Sequence, residues 1–300
     1  MAHDHDHGIS NYNRSFALGV ILNVIFVIIE AGYGVYAESL ALIADAGHNL
    51  SDVLSLLLAW GAILLAGKAA TEKRTYGFRK VTIMASLANA ILLLVVLGGI
   101  TWEAVGRFFN PSPVEGMVVI VVAAIGVVIN ALTAMLFVSG QKHDLNIRGA
   151  FIHMAADAGV SLGVVVAGTV IMYTGWLWID PATSLAIVAV VLIGTWGLLR
   201  DSLNSAIDTV PKDIDISGIK NYLNGLETVT RIHDLHVWPM STSEVALTVH
   251  LVVTDHAVDN DFLITVQNHL HDHFDIEHCT IQVEQEDDET ICMLDREACR

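Results

Sequence analysis

Six apolar stretches, each near the length needed to cross a bilayer, recur between residues 16 and 200. They run over about 16–37, 40–66, 81–108, 114–138, 148–174 and 180–200. A hydrocarbon core about 30 Å thick takes about 20 residues of helix. Lipid offers no partner to a backbone N–H or C=O, so a spanning segment must satisfy its own hydrogen bonds, and a helix does this. The pattern predicts a polytopic α-helical membrane protein with six transmembrane helices. Composition agrees: 54% of the 300 residues are hydrophobic and mean hydropathy is +0.57, high for a chain that folds in water. The first apolar run follows Arg14 and is about 22 residues long, longer than a signal-peptide core, so it is read as a retained first span.

Charge divides the chain. Residues 1–200 carry 12 acidic and 10 basic side chains, and residues 201–300 carry 20 and 5. Lys68, Lys73, Arg74, Arg79 and Lys80 fall between spans two and three, and Lys142 and Arg148 between spans four and five. Only Arg107 falls on the opposite side, so the positive-inside rule places both termini in the cytoplasm. A net charge of −17 argues against a nucleic-acid partner. Cys279, Cys292 and Cys299 form no C-x-x-C pair, and reduced thiols suit a cytoplasmic domain.

Beyond residue 200 the hydrophobic period changes. KDIDISGIKNYLNGL and NDFLITVQNHLHDHF have helical spacing, whereas TRIHDLHVW, EVALTVHLVVT and IEHCTIQVEQ read as strands. The expected organisation is a His-rich cytoplasmic tail at 1–15, a six-helix membrane domain at 16–200, a small cytoplasmic αββαβ domain of ferredoxin-like type at 201–286, and a flexible acidic tail at 287–300.

Two His-x-x-x-Asp pairs lie inside the apolar stretches: His48 with Asp52 in span two, and His153 with Asp157 in span five. Residues four apart share a helix face. Two such helices side by side offer two imidazole nitrogens and two carboxylates, a complete tetrahedral shell for zinc. Magnesium would favour an all-oxygen site, so zinc or a neighbouring divalent ion is the expected ligand. An ionised carboxylate at the bilayer centre costs about 2.5–3.5 kcal/mol on insertion scales. Interhelical polar contacts are the competing explanation for one such pair; two pairs of the same order and spacing favour a site. Imidazole titrates near neutral pH, so metal and protons compete for the same atoms. Asp45, one turn before His48, and Asn49 are candidates for a supporting or entry role. Glu30, Asn23, Asn89 and Asn130 are weaker candidates for a polar path.

In the acidic region, His233, Asp234 and His236 fall on one expected strand, His250 on the next, and His278 and Glu284 bracket the last. Strand alternation keeps three neighbours from forming a site alone, so strands or protomers must bring them together. His269 and His273 are four apart on a helix, and either a metal pair or a solvated face fits them. His3, His5 and His7 alternate with acids near the N-terminus.

The run SLALIADAGHNLSD at 39–52 strongly resembles the signature of the cation diffusion facilitator family, and RIHDLHVW and EHCTIQVE resemble that family's C-terminal domain. The cobalt–zinc–cadmium exporter branch is the most similar. The resemblance implies a homodimer of six-span protomers exporting divalent metal from the cytoplasm in exchange for protons, with His48, Asp52, His153 and Asp157 as ligands. It also implies regulatory zinc at the dimer interface, held by His233, His250 and Glu284, and a charge pair between Lys80 and Asp208 or Asp201; His236 and His278 are further metal-ligand candidates from the strand reading alone. Two departures stand out. The loop GKAATEKRTYGFRKV has no His or Asp for a second metal, and Gln282 stands where a further ligand is expected.

The resulting expectation is a secondary active transporter exporting zinc, cadmium or cobalt, with zinc as substrate and regulatory ligand and no organic cofactor. Its partners are divalent ions, protons, the lipid bilayer and a second copy, and its place is a bacterial inner membrane. The alternative is a membrane-embedded sensor or scaffold that binds zinc without moving it. An intramembrane metalloenzyme is disfavoured because no H-E-x-x-H occurs, and a primary pump because no G-x-x-x-x-G-K-[ST] occurs.

Overall fold

A computed structural model describes residues 9–66, 68–138, 145–254 and 259–285. Side chains are described from residue 21 onward, except Leu22, Asp52, 55–60, 62–64, 66, 136–137, 145–150 and His153. The chain forms two compact units, one of residues 1–58 and 88–197, the other of 59–87 and 198–300.

Six long helices come first: α1 (Ile9–Tyr36), α2 (Leu40–Ala66), α3 (Val81–Phe109), α4 (Gly116–Phe137), α5 (Leu145–Thr174) and α6 (Ile179–Ala206). Their bounds follow the apolar runs, with two differences. α1 already begins at Ile9, ahead of its apolar run, and α6 continues to Ala206. Hydropathy marks where lipid ends, whereas a helix continues as long as its backbone hydrogen bonds do. His3, His5 and His7 lie outside the described residues, as do Cys292, Cys299 and the expected acidic tail. Among the described residues four helical stretches are long and apolar enough to span a membrane: Val81–Phe109, Gly116–Met135, Met154–Thr174 and Ile179–Ala206. Large apolar side chains such as Trp102, Ile193 and Ile28 stand exposed on these helices and on α1. Such surface is costly in water and suits contact with lipid.

The first unit packs around Leu42, Leu97, Ile100, Val119, Val122, Val164, Ile187 and Val191. Small residues bring its helices close. A Cβ at Gly168 would sit 3.1 Å from Val119 and Ile120, and one at Gly126 would meet the Phe26 ring at 2.7 Å. Packing of this kind drives helix association where lipid removes the hydrophobic incentive.

The start of α2 is held by an acid from another helix. Asp180, fully buried at the head of α6, accepts hydrogen bonds from Ser39 Oγ at 2.5 Å, Leu40 N at 2.8 Å and Ala41 N at 3.2 Å. Ser39 Oγ in turn accepts from Leu42 N at 3.3 Å. The first N–H groups of a helix have no intrahelical acceptor and carry partial positive charge, so a carboxylate there satisfies both needs. Arg107 on α3 donates to the Glu38 carbonyl and lies 4.0 Å from Asp180.

In the second unit, α7 (Ile216–Asn224), β1 (Val229–Pro239), β2 (Val245–Val253), α8 (Asn260–Phe274) and β3 (His278–Gln285) give the expected αββαβ order. The sheet runs β1-β2-β3, with β1 antiparallel and β3 parallel to β2. β2 is central, and its composition shows why: Leu247, Val249, Leu251 and Val253 enter the core with Ile219, Leu223, Val266 and Leu270. Alternation sends His250 to the opposite face. Asp215 caps α7 by accepting from Ser217 N and Gly218 N, and Asp259 caps α8 by accepting from Phe262 N. Cys279 packs against the same core, and burial pushes its thiol up to about 11.

Asp180→Ala strands three donors at the start of α2, and an unsatisfied buried group costs about 1–3 kcal/mol. The expected result is a lowered Tm for the purified protein in detergent, with Asp180→Asn losing less because one acceptor remains.

Candidate metal sites

α2 and α5 meet through a polar contact inside the first unit. His48 Nε2 lies 2.9 Å from Asp157 Oδ1. Asp157 is 1% exposed and His48 14%. The side chains of Asp52 and His153, the other two expected ligands, lie outside the described residues. Their backbone positions fall one helical turn from His48 on α2 and from Asp157 on α5. The 2.9 Å separation is that of a hydrogen bond. Two ligand atoms on a tetrahedral zinc stand about 3.3 Å apart, given bonds of about 2.0–2.2 Å. A few tenths of an ångström of movement therefore converts one arrangement into the other.

The neighbouring polar residues tie further helices to this pair. Asp45 accepts from Ser161 Oγ on α5 at 2.8 Å, and Asn49 Nδ2 donates to Glu30 Oε2 on α1 at 3.1 Å. Glu30, Asp45, Asn49 and Ser161 are all buried. Asp45 and Asn49 thus contact other helices rather than facing solvent, and Glu30, a weak sequence signal by itself, becomes part of the network.

The second unit brings His233, His250 and Glu284 together, one from each strand. Glu284 accepts from both imidazoles, with Oε2 3.0 Å from His233 Nε2 and Oε1 2.8 Å from His250 Nδ1. One ligand atom from each of the three lies within 4.8 Å of the others. Strand pairing within one chain achieves this, because His233 is the register partner of His250 and Val252 that of Glu284. Two nitrogens and one oxygen, partly buried, fit a single zinc ion with one position left open.

Among the described residues, His236 and His278 lie outside this cluster. A register shift between His233 and His236, with Asp234 at φ 49°, breaks strict alternation on β1. His236 Nε2 instead meets Asp234 Oδ1 at 3.0 Å on the surface, and His278 packs edge-on against Tyr76. Gln282 donates to Glu284 Oε1 at 2.9 Å, so it orients the carboxylate. His269 and His273 stack face to face at 4.1 Å, and His269 also stacks on Tyr222. Burial, and then the charge of His273, lowers the His269 pKa.

Lys80 Nζ lies 2.6 Å from Asp208 Oδ1, whereas Asp201 pairs with Lys212. Sequence reading missed two contacts: the Asp180 cap, for which an acid opening an apolar helix before Pro181 is the available signal, and the Arg79–Glu244 ion pair at 3.1 Å.

Residues 16–205 match the cation efflux transmembrane domain, and residues 211–286 match the cytoplasmic domain of cation efflux proteins. The chain is 39% identical over 284 residues to the cation efflux system protein CzcD of Alcaligenes sp. (strain CT14), covering 94% of this chain and 89% of that one. It is 35% identical to a cadmium, cobalt and zinc/H(+)-K(+) antiporter of Bacillus subtilis, covering 95% and 93%. It is 36% identical to the zinc transporter ZitB of Escherichia coli, again covering 95% and 93%. A solved structure titled as the metal-bound C-terminal domain of the CzcD transporter is 36% identical, covers 24% of this chain and 99% of that one, and has a TM-score of 0.22. With apolar helices of spanning length and both domains matched over nearly its whole length, the chain is an integral membrane protein of the cation efflux, or cation diffusion facilitator, family.

Proposed function

We propose that the protein is a secondary transporter that exports zinc, with cadmium and cobalt as related substrates, in exchange for protons. The contact between His48 and Asp157 across α2 and α5 is the observation that carries this reading. Six helices span the membrane, both termini face the cytoplasm, and the membrane is a bacterial inner membrane. The charge of the α2–α3 connection supports this topology, and the bacterial relatives support the location.

In this reading His48, Asp52, His153 and Asp157 form the transported ion's shell. With protons bound, imidazole and carboxylate hold one another. Arriving zinc displaces the proton between them, and the ligand atoms move apart slightly to accept it. Facing outward, protonation of the same atoms releases the metal. Alternating access moves the site between the two sides, and the network through Asp45, Asn49, Glu30 and Ser161 keeps α1, α2 and α5 in register. The name of the Bacillus relative, an antiporter of metal against protons and potassium, supports proton exchange. The chemistry is transport, not catalysis. His233, His250 and Glu284 bind a regulatory zinc ion in the cytoplasmic domain, and two protomers associate as a homodimer.

Zinc flux into proteoliposomes under an imposed pH gradient tests the central claim. Wild-type protein should give gradient-dependent uptake, and Asp157→Ala should reduce it at least tenfold. Zinc binding with no flux under any gradient would favour a sensor or scaffold instead. Replacing an imidazole by a carboxylate hardens the ligand set, so His48→Asp should extend transport towards manganese and iron. Unchanged selectivity would remove the argument from ligand type. His250→Ala should remove one zinc ion per protomer from the purified homodimer, counted by elemental analysis together with native mass. An unaltered zinc content would exclude the regulatory site, and a monomeric mass would exclude the dimer.

A further inference from the structure

The second unit contains a cavity of about 690 Å³ that neither metal site uses. One wall is the connection between α2 and α3, including Lys68, Thr75, Tyr76 and Arg79, and the other is the turn from Ser241 to Glu244 between β1 and β2. Two contacts hold the walls together. Thr242 N donates to Thr82 Oγ1 at 3.0 Å, and Arg79 pairs with Glu244 at 3.1 Å.

The lining has two cations, Lys68 and Arg79, against one acid, Glu244. Among the described residues, the Lys68 ammonium and the Thr75 and Tyr76 hydroxyls make no hydrogen bond or ion pair. Arg79 brings a guanidinium with five N–H donors. Glu244 is the one acid in the lining, and Arg79 already neutralises it. A site with an unmatched ammonium, free hydroxyls and a partly used guanidinium is complementary to an anion rich in acceptor oxygens, of which phosphate is the common case. The volume lies within the range of small-molecule sites and exceeds what a bare phosphate needs. Position selects the form the phosphate takes. Lys80 immediately precedes Val81, where an apolar stretch of spanning length begins, so the cavity lies beside the end of a membrane span. Lys73 and Arg74 add positive charge to the same connection. Basic segments next to a span attract anionic headgroups.

We propose that this cavity binds the phosphate headgroup of an anionic phospholipid. The occupied site bridges the α2–α3 connection and the β1–β2 turn with a ligand that only membranes supply.

The test uses full-length protein purified in detergent and mixed with equal amounts of phosphatidylglycerol and phosphatidylcholine, the retained lipid being counted by native mass spectrometry. Wild-type protein should keep phosphatidylglycerol at least threefold over phosphatidylcholine. The triple change Lys68→Ala, Thr75→Val, Tyr76→Phe should abolish that preference, and Lys73→Ala, outside the lining, should keep it. Absence of any preference in wild-type protein overturns the proposal whatever the variants do. Equal retention by the triple variant and wild type also overturns it. Soluble glycerol phosphate, added at the lipid concentration, should not displace the lipid; full displacement would assign the cavity to a free phosphate ester and overturn the lipid assignment.

Discussion

The membrane unit depends on one constraint: ionisable side chains buried among apolar helices are paired with polar groups on other helices. His48 meets Asp157, Asp45 meets Ser161, Asn49 meets Glu30, and Asp180 receives the start of α2. Each of these contacts joins two helices whose apolar surfaces alone would not distinguish one neighbour from another, since lipid and leucine are equally apolar. Shape from small residues such as Gly126 and Gly168 sets how close the helices come. The polar contacts then select which faces meet, so the residues suited to metal chemistry also fix helix orientation.

The same economy governs the cytoplasmic domain. β2 has a continuous apolar run because it is the central strand, yet His250 interrupts it at a position where alternation turns the side chain away from the helices. Antiparallel pairing places His233 opposite His250, and the shift that follows on β1 leaves Asp234 between His250, at 3.8 Å, and the exposed His236, at 3.0 Å. The parallel pairing of β3 then delivers Glu284 between the two imidazoles. A cluster of two imidazoles and a carboxylate arises from residues 51 apart in sequence at the widest hydrogen-bonded pair, with Gln282 donating to the carboxylate.

How much of this was legible beforehand varied with the range of the interaction. The αββαβ order and the helix bounds were readable because a period of 3.6 or 2 is local and survives without tertiary context. The His48–Asp52 and His153–Asp157 spacings were readable for the same reason. The Lys80–Asp208 contact was anticipated by resemblance with Asp201 as a rival, and geometry chose Asp208 because Lys212 already holds Asp201. The separation of His236 and His278 from the His233–His250–Glu284 cluster was not legible, because His236 pairs with Thr248 and His278 with Ala246, and such register partners are set by tertiary pairing. An acid opening an apolar helix before Pro181 marks Asp180 as unusual, but no local pattern shows that the helix it caps starts some 140 residues earlier.

The sequence by itself determined that the chain crosses a membrane several times, ends in a small acidic α/β domain, and carries imidazole and carboxylate pairs one helical turn apart. These follow from hydropathy, charge and helical period, all of which act over a few residues. Tertiary structure alone decided which residues become partners: His48 with Asp157, Asn49 with Glu30, Asp180 with the start of α2, and His233 with His250 and Glu284. Those choices depend on which helix faces pack and on how the strands register. They come from shape and from the cost of leaving a buried polar group unpaired, summed over elements far apart in the chain.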